Sequence, residues 1–119
     1  MNLFSQKFHA YIDYPVAFGL IAFPFLLGLG AANPLAFWLS VVTGIAAFGL
    51  TVLTDHETGL IKVLPYKLHL AVDFIVGVTF VAAPFVLGFT GLDAAYNWVL
   101  GATVIIVVAG HRGDTAVAA

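Results

Sequence analysis

Two residue pairs in this chain have types and spacing suited to acid–base or metal chemistry: His9 with Asp13, and His69 with Asp73. Each pair is spaced i, i+4, so on a helix the imidazole and carboxylate lie on one face about one turn apart. Two further histidines, His56 and His111, follow the ends of apolar runs, and Asp55-His56-Glu57 forms a short polar triplet. The chain has no cysteine, which excludes disulfides, thiolate-held iron–sulfur clusters and covalently attached haem. Histidine and carboxylate are the strong metal ligands that remain. No serine stands in a nucleophile motif and no glycine-rich phosphate loop is present, so no catalytic residue is assigned.

Three kinds of chemistry fit these pairs. In the first, His9 and His69 mark the lipid–water boundary, and each aspartate accepts hydrogen bonds near a helix N-terminus, where negative charge is favoured. The pairs then pin helices together in a scaffold or accessory subunit. In the second, neutral imidazoles of His9 and His69 ligate a metal ion or the two faces of a b-type haem. Asp13 and Asp73 then orient them as outer carboxylates, with His56 and His111 as further ligands. In the third, the carboxylates serve a proton or ion relay. Against the relay, the far half of the membrane offers mainly scattered hydroxyls, among them Thr43, Thr51, Thr79 and Thr103.

The elements that must position these residues are legible in the composition. Of 119 residues, 62% are hydrophobic and 8% charged, with a mean hydropathy of +1.09, where soluble domains carry about 25% charged residues. A soluble fold of this size could not hide so much apolar surface. The bilayer is the expected partner, and four basic residues in a chain of net charge −2 leave no footprint for nucleic acid.

Displacing the sequence by sixty positions gives twelve identities over residues 7–45 and 67–105. They include His9/His69, Asp13/Asp73, Pro24/Pro84, Gly28/Gly88 and Trp38/Trp98. This register reads as an internal duplication. Each half holds two apolar runs, 11–30 and 34–53, then 66–90 and 94–110, each near the roughly 20 residues needed to cross a bilayer. The expected organisation is one membrane domain over residues 1–119. Repeat one covers 7–53, a connecting loop 54–65 and repeat two 66–113. The first run resembles a secretory leader, but its recurrence in the second half argues for a retained span.

Two spans per repeat make the repeats parallel, so the fold expected is an all-α four-helix membrane bundle with a pseudo-twofold axis along the membrane normal. Lys7, Lys62, Lys67 and Arg112 then fall on one side with all four histidines. By the positive-inside rule that side, with both termini, is cytoplasmic. Counting 100° per residue from Asp13, Val16, Leu20, Pro24, Leu27 and Gly28 fall within about 60° of it. This face is expected to meet its counterpart on helix three, with Pro24 and Pro84 kinking the helices and Gly28 and Gly88 allowing close approach. Trp38 and Trp98 are expected as interfacial anchors. A homo-oligomer or a larger membrane complex is the expected assembly.

The segments Phe23-Pro24-Phe25-Leu26-Leu27-Gly28-Leu29 and Ala83-Pro84-Phe85-Val86-Leu87-Gly88-Phe89, each followed by a tryptophan in the next run, resemble the SPW repeat of bacterial integral membrane proteins. Pro24 and Pro84 match the signature. Its serine is replaced by Phe23 and Ala83, and its tryptophan by Phe25 and Phe85. The resemblance implies a four-helix protein of a bacterial inner membrane, and it supplies no catalytic residues.

Overall fold

The computed structural model describes residues 6–55 and 59–110, and every described element is helical. Four helices follow in order: α1 (Gln6–Leu27), α2 (Pro34–Leu53), α3 (Tyr66–Leu87) and α4 (Gly91–Ala109). At 1.5 Å per residue they run about 29–33 Å, the thickness of a hydrocarbon core. All four are long and apolar enough to cross a membrane. Large apolar side chains such as Phe18, Leu26, Ile75, Val86 and Val99 are exposed on their outer faces. Lipid, which solvates these side chains as well as a protein core would, accounts for that exposure.

Helix α1 packs on α2 and α3 on α4, giving two hairpins that touch each other sparsely. The close approaches lie within the hairpins. A Cβ on Gly44 would come 2.9 Å from both the Ala17 carbonyl oxygen and Leu20 Cβ, and one on Gly101 would come 2.7 Å from the Gly77 carbonyl oxygen. Small residues there let helix backbones meet.

The expectation that Gly28 and Gly88 serve this purpose is corrected. Both are exposed, and a Cβ on either would meet nothing within 4 Å. They end α1 and α3 instead, with left-handed φ of +65° and +74°. The Leu29 N–H closes the α1 turn on the Pro24 carbonyl at 3.0 Å. Pro24 and Pro84 are buried near those ends.

Helix α2 opens on Pro34, with Asn33 accepting from the Leu35 N–H at 3.1 Å. Helix α4 begins three residues before its expected start, taking Asp93 into its first turn. The carboxylate suits the positive end of the helix. Between the hairpins, residues 59–64 fold back on α2. Leu60 and Ile61 donate to the Val52 carbonyl, Val63 and Leu64 donate to that of Leu53, and an isolated parallel bridge joins Thr54 to Leu64. These bonds satisfy the carbonyls left open at the end of α2.

Candidate functional site

His69 lies in the first turn of α3 and is 2% exposed. Its Nδ1 is 2.7 Å from Thr54 Oγ1, just beyond α2. Thr54 itself donates to the Leu50 carbonyl at 2.5 Å, and a carbonyl can only accept. The hydroxyl hydrogen is therefore committed, and the hydrogen between Thr54 and His69 belongs to Nδ1.

That assignment decides what the other ring nitrogen does. Nε2 is 3.2 Å from Asp73 Oδ2, one turn further along α3, and 3.3 Å from Asp13 Oδ2 on α1. A neutral ring with its hydrogen on Nδ1 would aim a lone pair at two carboxylates. Nε2 and the two carboxylate oxygens thus face one another at short range. Asp13 and Asp73 are 10% and 19% exposed, so the three groups meet in a largely enclosed place.

Asp13, His69 and Asp73 border a cavity of about 390 Å³ between the two hairpins, lined further by residues such as Val16, Leu20, Val42, Val76 and Leu100. Positions sixty apart face it from opposite sides: Ile12 and Val72, Asp13 and Asp73, Val16 and Val76, Thr43 and Thr103. Only the first part of the faces singled out in the sequence, Asp13, Val16 and Leu20 with Asp73 and Val76, borders this space, while Leu27 and Leu87 are exposed.

The outcome for each sequence-derived site residue is uneven. Asp13, His69 and Asp73 come together. The side chain of His9 and all of His56, Glu57 and His111 lie outside the described residues. Asp55 is exposed. Trp38 and Trp98 are 57% and 42% exposed on the outer surface, and Trp98 stacks obliquely with Phe85 at 5.6 Å.

Two features change the chemistry expected. The aspartates face the same nitrogen as any incoming cation, and Thr54 occupies the outer position assigned to them. The nitrogen of His69 that a haem iron would take, Nε2, looks into the Asp13 and Asp73 carboxylates.

The far half of the bundle is also more polar than the sequence reading allowed. Ser40, Asp93 and Asn97 are buried there. Ser40 donates to the Leu20 carbonyl at 2.7 Å and accepts from the Tyr96 hydroxyl at 2.7 Å. Asp93 accepts from the Gly30 N–H at 3.0 Å, and the Asn33 amide donates to the Leu87 carbonyl at 2.9 Å. Asn97 donates to the Asp93 carbonyl at 2.8 Å, while its Oδ1 is buried without a partner. An asparagine amid the apolar run of α4 was the available signal for this cluster. A buried side-chain oxygen needs a bonding partner wherever lipid excludes water.

The ties therefore cross between hairpins at three levels: Asp13 and Thr54 to His69, Ser40 to Tyr96, and Gly30 and Asn33 to Asp93 and Leu87. Ala36, Ala83, Phe89 and Ala94 add a small apolar core.

A family model described as the SPW repeat domain matches residues 5–111. No curated protein and no solved structure matches the chain.

Proposed function

The chain belongs to the SPW repeat family, and from that membership and the ties between its hairpins we propose that it is a non-catalytic membrane scaffold or accessory subunit. One observation carries the reading: hairpin one supplies Asp13 and Thr54 to a single buried histidine of hairpin two. Ser40 and Asp93 likewise serve contacts between the hairpins. In the far half Asn33, Ser40, Asp93 and Tyr96 are thereby engaged between the two hairpins. A relay needs groups that can pass a proton onward, and these bonds leave few in place to do so.

In this reading the protein sits in a bacterial inner membrane, with the Asp13–His69–Asp73 end toward the cytoplasm. Support comes from the sequence, in which Lys7, Lys62, Lys67 and Arg112 all lie in or beside the termini and connecting loop expected on that side. A homo-oligomer or larger complex assembles through the broad apolar exterior.

The test is reconstitution of the purified full chain in liposomes with a pH-sensitive dye inside, beside size measurement after mild solubilisation of its own membrane. A scaffold gives no proton flux above protein-free vesicles and runs as an assembly larger than one chain. Flux that stops on Asp13→Asn replacement would overturn it in favour of a relay.

A further inference from the structure

The cluster Asp13, His69 and Asp73 offers one ligand atom from each residue, all within 4.8 Å of one another. We infer that the clasp between the hairpins is a binding site for a divalent first-row transition metal ion, with His69 Nε2 and the Asp13 and Asp73 carboxylates as direct ligands. This deepens the scaffold reading and rests on it: the ion would be the part that locks hairpin one to hairpin two.

Three observations converge. The first is the direction of His69. Its Nδ1–H is held by Thr54, and Thr54 by the Leu50 carbonyl, which fixes the ring and leaves Nε2 as the coordinating nitrogen. Metal-bound histidines are typically oriented by just such a bond on the opposite nitrogen.

The second is distance. Donor atoms around a tetrahedral ion with bonds of about 2.0–2.1 Å stand roughly 3.3–3.4 Å apart. The two separations from Nε2 here, 3.2 and 3.3 Å, are of that size.

The third is the donor set and its enclosure: His69 is 2% exposed and Asp13 10%. Imidazole with carboxylate suits zinc, manganese or ferrous iron, and the absence of cysteine removes competition from thiolate. With three protein ligands drawn from α1 and α3, remaining coordination positions open toward the cavity that all three residues border.

The experiment uses the full chain in lipid nanodiscs, stripped with chelator, exposed to zinc and desalted. Elemental analysis is expected to find about one zinc per chain, with thermal unfolding shifted upward by binding. Asp13→Asn and Asp73→Asn should each weaken zinc binding by more than the roughly 10–100-fold that loss of an outer partner costs. Circular dichroism checks that both variants remain helical.

Because either variant could lose its fold, X-ray absorption on the zinc-loaded wild type gives a second readout. An imidazole nitrogen together with oxygen neighbours supports the site, and a shell of oxygen alone overturns it. So would failure to retain zinc, or retention that both replacements leave unchanged.

Failure of the metal proposal is separable from failure of the clasp. The clasp alone predicts that Asp13→Asn destabilises the metal-stripped protein, and that measurement needs no ion.

Discussion

The Tyr96 hydroxyl donates to Ser40 Oγ at 2.7 Å across the seam between the hairpins, while Ser40 donates onward to the Leu20 carbonyl. One serine thus joins α1, α2 and α4 at a depth where little water competes. Association of helices in lipid lacks a hydrophobic drive and depends on packing and such bonds. Replacing Ser40 with Ala and Tyr96 with Phe, singly and together, isolates this bond in a double-mutant cycle. The coupling expected is about 0.6 kcal/mol and no more than about 1.7 kcal/mol, the range measured for interhelical bonds in membranes. Reversible unfolding in mixed micelles checks it.

Thr54 carries a second expectation. It is fully buried, and its oxygen is the partner of the His69 Nδ1–H. Thr54→Val keeps the shape and removes the oxygen, which strands a buried donor at a cost of about 1–3 kcal/mol. Thr54→Ser keeps the hydroxyl and should recover most of that loss. Equal stability of the Val and Ser variants would show that the ring is held by something else.

The glycines separate by what surrounds them. A Cβ on Gly101 would lie within 3 Å of the Gly77 carbonyl oxygen and of Val81 atoms, so Gly101→Ala must push α3 and α4 apart. The expected loss is about 1–3 kcal/mol. Gly49, inside α2, has nothing within 4 Å of an added Cβ and no left-handed φ. Gly49→Ala should therefore stabilise by about 0.4–1 kcal/mol through reduced freedom of the unfolded chain. Thermal unfolding of the two variants in one detergent gives shifts of opposite sign.

The contrast between Gly28 and Gly44 explains what was legible in the sequence and what was not. Apolar runs of bilayer length announce four spans, because lipid demands a continuous apolar stretch whatever the packing. The sixty-residue register marked Gly28 with Gly88, but a matched glycine does not reveal whether its backbone or its missing side chain matters. Here the backbone matters, through the left-handed turn that ends each helix. Gly44 has Val104 sixty residues later, so the register passed over it, though α1 presses against it.

The convergence of Asp13 with His69 and Asp73 followed from parallel spans and matched positions. Thr54 did not follow, since its place depends on the loop folding back onto α2, and no local pattern encodes that return. Ser40 and Tyr96 were hidden for a related reason. A hydroxyl in an apolar helix can bond its own backbone, as Thr103 does with the Val99 carbonyl, and only the fold decides which hydroxyls reach across.

Asp93 provides the last test, because its two roles are separable by chemistry. Its Oδ1 accepts from the Gly30 N–H at 3.0 Å, fastening the first hairpin's turn to the second hairpin, and its charge lies in the first turn of α4. Asp93→Asn keeps an acceptor oxygen in the same place and removes the charge, which is worth about 0.3–1 kcal/mol at a helix N-terminus. Asp93→Ala removes both and leaves the partly buried Gly30 donor without its acceptor, adding about 1–3 kcal/mol. The Ala variant should therefore lose at least twice what the Asn variant loses in unfolding free energy. The amide of Gly30 should also exchange with deuterium faster in the Ala variant alone. Equal losses would mean that helix charge, rather than the bond between the hairpins, is what Asp93 contributes.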